Sequence, residues 1–365
     1  MEHPKLAYLT LRRLGTLLLA SMLLTPTGCG GGGGGRGGVA PPPAEPPRGF
    51  PPPRDVPIDQ ELVAAAKAEL QKLVQAEMAF DRVYAIEGLR QVGGADAAGP
   101  ITQSLTVDSS PVRFAAAMAI GDLKLPGTAQ QLRAMLDDPD PRVQVAVRYA
   151  LHQLGDRSRS HDLETFAQHD LPKVRAVTAM ALGRLGDPSA NGILYRLRAD
   201  PDAAVRQQAE EALFLLDDPR GRDAILGFTA SRHPDDVMFA MRALAQKKDP
   251  SLKLYAWSKL SEANDPTKGY LDVALAAAMA MGAMRADDGY GVAMQGMTDQ
   301  DPQLGVRRRV LAAATFGMIG RPDAQPYLAT LLKDKENEVR AAAATAILQI
   351  AADPKKFNRA GKIVE

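Results

Sequence analysis

The sixteen residues "KVRAVTAMALGRLGDP", Lys173 to Pro188, decide the fold. Small or apolar side chains stand one residue before Arg175 and three, six, seven and ten after it, at Val174, Thr178, Ala181, Leu182 and Leu185. That spacing lays them along one stripe of a 3.6-residue helix. Gly186 and the Asp187-Pro188 pair then punctuate its end.

The phrase recurs. Close copies are "PVRFAAAMAIGDL" (111–123), "RVQVAVRYALHQLGD" (142–156) and "AVRQQAEEALFLLDDP" (204–219), with weaker ones at 81–93, 236–246, 272–284, 308–320 and 338–350. The slot after the leading valine holds Arg82, Arg113, Gln144, Arg175, Arg206, Met238, Ala274, Arg309 and Arg340, separated by 31, 31, 31, 31, 32, 36, 35 and 31 residues. A shorter helical pattern fits between copies, as at 128–138, 190–200 and 323–334. One helix pair cannot bury its own apolar stripe, so pairs must stack on their neighbours. The expectation is an all-α chain, an α-solenoid of about nine helix pairs over residues 58–365.

The phrase "VRAVTAMALGRLGDP" resembles the HEAT-like repeat of the phycobilisome-lyase (bilin lyase) type, and the resemblance spans roughly residues 80–352. It implies an Arg–Asp ladder between adjacent repeats, formed by Arg82, Arg113, Arg175, Arg206, Arg309 and Arg340 with the loop aspartates Asp108, Asp140, Asp170 and Asp202. It implies little about activity, because such repeats serve lyases, hydroxylases and pure scaffolds alike. The hydroxylase branch carries His-Glu pairs that bind two irons. No His-Glu dipeptide occurs here, so neither that activity nor its metal is expected.

Composition narrows the remaining classes. A formal net charge of +1 offers no basic field for nucleic acid. A single cysteine excludes an internal disulfide framework and a multi-thiolate metal site, and five histidines leave little for a His-rich one. No cofactor is expected, and no catalytic constellation is recognisable.

The N-terminus carries its own signal. Lys5, Arg12 and Arg13 precede the apolar run "LGTLLLASMLLT" (14–25), and Thr27 and Gly28 then lead to Cys29. The run is too short to span a bilayer comfortably and has the layout of an export signal. It resembles a bacterial lipoprotein signal, with Pro26 standing where leucine is usual. The resemblance implies that residues 1–28 are removed and that Cys29 is acylated, anchoring an exported protein to a membrane of the bacterial envelope. Residues 29–57 run from Gly-rich to Pro-rich and read as a tether.

The helix face opposite the buried stripe is richer in apolar side chains than a solvated face should be. Phe114, Met118, Val145, Tyr149, His152, Met180, Phe214 and Phe239 fall on it. On the concave side of a solenoid they would form a groove for a protein or peptide partner; crowding by neighbouring repeats would make them ordinary packing. The expected function is a non-catalytic envelope scaffold. The competing class is an enzyme or accessory of the bilin-lyase type acting on an apolar small molecule. A second place of interest is the irregular stretch around "SEANDPTKGY" (261–270), near Tyr255, Trp257, Tyr270 and Tyr290.

Overall fold

The computed structural model describes residues 53–54, 56–158, 161–262 and 270–356. The signal-like segment, Cys29 and most of the tether lie outside the described residues. Nine motif helices appear where the repeat placed them: α2 (Ala79–Val92), α4 (Ser110–Leu123), α6 (Pro141–Gln153), α8 (Pro172–Leu185), α10 (Ala203–Leu215), α12 (Pro234–Lys247), α14 (Leu271–Ala283), α16 (Gly305–Ile319) and α18 (Asn337–Ala352). Each is preceded by a partner: α1 (Gln60–Leu73), α3 (Ala95–Gln103), α5 (Ala129–Ala134), α7 (Asp162–Phe166), α9 (Asn191–Leu197), α11 (Pro219–Thr229), α13 (Lys253–Glu262), α15 (Tyr290–Met297) and α17 (Gln325–Leu331). The chain is an all-α solenoid, with no strand among the described residues.

Local chemistry sets the helix starts. Proline stands in the first turn of α4, α6, α8 and α12, where its missing N–H costs no helix bond. Asp140 and Asp202 accept backbone amides at the starts of α6 and α10. Small residues then set the spacing between motif helices. A Cβ on Gly183 would come within 2.6 Å of the Ala212 Cα, so α8 and α10 meet backbone to backbone.

That close approach curves the array until its ends meet. The last helix, α18, lies against α1 and α2 as any motif helix lies against the next repeat. Arg340 Nε donates to Glu69 Oε1 at 2.6 Å, Gln349 Nε2 to Gln91 Oε1 at 3.1 Å, and Asn337 Nδ2 to Asp81 Oδ2 at 2.5 Å. The chain entering α1 straps the joint, since the Asp59 amide bonds Gln325 Oε1 at 2.7 Å and Gln325 returns a bond to the Pro57 carbonyl at 3.0 Å. The solenoid is therefore a closed ring of nine pairs. We call the end where the even-numbered helices begin the amino rim, and the opposite end the carboxyl rim.

The ring is tight. Motif helices two repeats apart touch through side chains: Arg184 of α8 reaches Asp122 of α4 at 3.0 Å, and Arg307 of α16 approaches Asp235 of α12 at 3.7 Å. Its core falls into two clusters, one joining α1 through α10 to the last repeats and one running from Phe214 to Ala312. Between them α10 and α12 barely meet; α11 fills the gap, and Arg242 bridges it to Glu211 at 2.7 Å.

Candidate functional site

The arginine ladder exists, with different partners from those expected. Arg113 grips Asp138 through Nε and Nη2 at 2.8 Å each, and Arg175 grips Asp200 at 2.7 and 2.8 Å. Arg309 Nε reaches Asp334 at 2.7 Å. In all three the aspartate lies 25 residues beyond its arginine. The slot residue of the following repeat then takes the same aspartate's carbonyl: Gln144 to Asp138 at 2.7 Å, Arg206 to Asp200 at 2.8 Å, Arg340 to Asp334 at 2.8 Å. Each loop is thus held from both sides, which ties one repeat to the next.

The aspartates singled out from sequence do other work. Asp108 and Asp170 offer only backbone carbonyls, to Arg113 at 2.7 Å and Arg175 at 3.0 Å, while Asp140 and Asp202 cap helices. Arg82 is not a rung: the residue 25 positions on is Val107, and the Arg82 Nε is buried without a hydrogen-bond partner. Burial pushes the Asp200 carboxyl up, but the Arg175 bond and the Asp202 amide outweigh it and hold it below its ordinary value.

The apolar face proposed for a partner is not open. Phe114, Met118, Val145, Tyr149, Met180 and Phe214 are all buried, so six of the eight named side chains offer a partner no surface. Closure is the physical reason, because tight curvature turns these faces onto one another and onto adjacent helices. Phe239 is half-buried with its ring edge-to-face on Phe228 at 5.6 Å and Arg242 over it at 5.0 Å. His152 is half-buried at the end of α6, and burial and then Arg157 lower its pKa.

Charge is concentrated where α2, α4, α6 and α8 end. Asp122 Oδ2 accepts from Arg90 Nη1 at 2.9 Å and from Arg184 Nη1 at 3.0 Å, while the Tyr149 hydroxyl donates to Oδ1. Burial first, and then Asp122, push the Tyr149 pKa upward. Two guanidinium groups and a phenol from three other helices meet on this one carboxylate, so the hub clamps four helices. Sequence reasoning passed over it, although Gln91, Asp122, Gln153 and Arg184 recur at the repeat spacing of 31 residues.

The open concavity lies elsewhere, on the amino rim over the starts of α4, α6, α8 and α10, with a volume of ≈ 710 Å³. Its size is in the range of ligand and peptide clefts. Pro139, Asp140, Arg142, Leu171, Lys173 and Asp202 are among its walls. Leu171, next to Pro172 at the start of α8, is 55% exposed. Arg142 pairs with Asp140 at 2.6 Å. Burial raises the Asp140 carboxyl, but bonds from Arg142 and Ser110 win and lower it, so it stays ionised near neutrality. The trough therefore alternates charge of both signs with exposed apolar surface.

The irregular repeats divide. Tyr290 is buried edge-to-face on Phe316 at 5.3 Å with Arg321 over its ring at 3.9 Å, so it belongs to the core. Tyr255 and Tyr270 are exposed at 36% and 60%, while residues 263–269 lie outside the described residues. No group of three or more metal-ligating side chains occurs among the described residues, and no helix there is long and apolar enough to cross a membrane.

The family model for HEAT repeats matches residues 67–152, 160–245 and 257–349, more than half of the chain. This chain belongs to the HEAT-repeat family. Each matched segment covers three of the motif helices, the third to within about three residues of its end. Among solved structures the chain is similar to the CpcE–CpcF complex of phycocyanin lyase from Nostoc sp. PCC7120, at 19% identity and a TM-score of 0.40 over 73% of this chain and 98% of that one. It is also similar to human deoxyhypusine hydroxylase in complex with glycerol (18% identity, TM-score 0.36, 80% and 98% covered) and to the Escherichia coli protein YibA (19%, 0.32, 80% and 98%). A comparison with curated protein sequences finds no match. At these scores the structural likenesses say nothing about activity.

Proposed function

We propose that this HEAT-repeat ring is a non-catalytic scaffold of a bacterial envelope, tethered to a membrane by an acylated Cys29, that holds a peptide segment of a partner protein in the amino-rim trough. The supporting observation is the trough itself, whose walls combine exposed Leu171 with Arg142, Lys173 and the capping aspartates. A closed ring has no free ends to fray, so the trough is presented on a rigid base with little ordering cost on binding. An apolar anchor flanked by charges of both signs suits a short segment with one apolar side chain and polar neighbours. A lyase-type activity on an apolar small molecule would call for an open apolar pocket, and six of the eight concave side chains that would line one are buried.

Photocrosslinking from position 171 tests the site. Adducts to one discrete partner are expected there, lost in Lys173→Glu, and absent when the crosslinker replaces exposed Leu254 on the outer helix α13. Equal adducts from 171 and 254 would end the trough assignment. Metabolic labelling with a radioactive fatty acid tests the tether: label should appear on the wild type and vanish in Cys29→Ala.

A further inference from the structure

The carboxyl rim carries a cluster of cations that neither the ladder nor the trough uses. Four successive motif helices, α12, α14, α16 and α18, end there side by side. Lys248 closes α12 in the left-handed region at φ 55°, and Arg285 follows α14 at φ 63°. Both side chains are exposed. Glycine is the usual occupant of that backbone region; a long cation there is held at some conformational cost. The third helix, α16, does end on a glycine, Gly320 at φ 77°. There the chain beyond α18 folds back, its Lys355 amide bonding the Gly320 carbonyl at 2.9 Å. The Lys355 stem lies over Gly320 and its Nζ donates to the Met318 carbonyl at 2.8 Å.

The fold-back half-buries Lys355, and burial first, then Arg285 and Lys248, lower its pKa against the opposing pull of Asp353. Two of the neighbouring carboxylates are engaged elsewhere. Asp249 turns to cap its own turn at the Ser251 amide, 2.9 Å away, and Asp287 is bonded to Arg321 at 3.2 Å. A helix C-terminus supplies only about half a negative charge, so the dipoles beneath do not neutralise these side chains. Lys356, exposed, adds a fourth cation.

The chain's N-terminal extension leaves from this same rim. The Arg54 amide bonds Asp323 Oδ2 at 3.3 Å, Asp323 pairs with Arg321 at 2.6 Å, and Arg321 holds Asp287, two residues from Arg285. The base of the tether and the cation cluster are therefore joined through one short series of contacts.

We propose that the carboxyl rim docks on anionic lipid headgroups through Lys248, Arg285 and Lys355, which fixes the ring's orientation with the amino-rim trough facing away from the membrane. This rests on the membrane-tether reading above. An acyl anchor at Cys29 would stand 24 positions before Pro53 in the chain. A single anchor joined to a basic patch holds a protein to a surface in one pose.

Vesicle flotation of the unacylated full-length Cys29→Ala chain tests the proposal. Zwitterionic phosphatidylcholine vesicles are compared with vesicles containing roughly one-third phosphatidylglycerol, in 50 mM and 500 mM salt as assay conditions. Binding to the anionic vesicles should be stronger, fall with salt, and drop about 100-fold in the triple variant Lys248→Gln, Arg285→Gln, Lys355→Gln. The N-terminal apolar run is common to all variants, so their ratio reads the rim alone. The set Lys248→Arg, Lys355→Arg should keep binding, and unchanged thermal midpoints exclude misfolding. Equal binding by wild type and triple variant would overturn the inference. So would complete competition by millimolar inorganic phosphate, which would make the cluster a small-anion site. If fatty-acid label fails to depend on Cys29 while charge-dependent flotation persists, the tether reading falls and the docking face stands.

Discussion

The arc from α4 to α10 and the arc from α12 to α16 are built from the same helix pair, yet they hold together differently. In the first, repeats follow at 31 residues, and loop aspartates are held by Arg113, Gln144, Arg175 and Arg206. In the second, the slot is occupied by Met238 and Ala274, both buried, and the spacing drifts to 36 and 35 residues. Methionines and the Phe228–Phe239 pair fill the space, and Arg308 replaces the missing rungs by reaching both Asp272 and Asp299 at 3.0 Å. The comparison shows what the ladder does. A bidentate arginine fixes loop length because its partner must arrive at one position, whereas adaptable side chains tolerate insertions.

Substitutions that separate the two arcs test this, beginning with the largest effect. Gly183→Val forces a side chain into the Ala212 backbone and should cost about 3 kcal/mol in urea unfolding. Gly296→Ala in the irregular arc meets chiefly the movable end of Leu275 and should cost under about 1 kcal/mol. Comparable losses at both sites would mean that the second arc is as rigidly packed as the first. Asp200→Ala strands the nearly buried Arg175 and should lose about 3 kcal/mol, a larger loss than for Asp301→Ala, which removes only exposed bonds to the Gln303 and Leu304 amides in the turn before α16.

Ring closure is a third lever. Glu69→Ala removes the carboxylate from Arg340 and should cost about 2 kcal/mol, with faster amide exchange concentrated in α1 and α18. Uniform exchange across all nine pairs would show that the joint is no weaker than any other contact. The smallest effect is on pH. The Asp140 and Asp200 carboxyls are held below their ordinary 3.8, so in acid the unfolded chain takes up protons before the folded one. Their contribution should be complete above that value and fade as pH falls through the folded pKa values. An acid-unfolding profile of Asp200→Asn should be flatter there than that of the wild type.

Much of this was legible from residue types and spacing. The stripe around Arg175, the 31-residue period and the Asp-Pro loops placed all nine motif helices, because helix periodicity is a local property. Most of the ladder's arginines were legible as well, since a charge that tracks the repeat serves the repeat; Arg82 was the exception. Their partners were not. Asp138 and Asp140 both stand beside Pro139, and only the path of the loop decides that the first meets Arg113 while the second caps α6.

The sequence by itself determined helix content, repeat register, most of the ladder arginines and the family, all consequences of spacing within about 30 residues. Tertiary structure alone decided closure, because bonds such as Arg340–Glu69 join residues 271 apart in the chain. Closure in turn decided the fate of Phe114, Tyr149 and Met180. The same apolar face that an open superhelix would expose becomes interior once the ends meet.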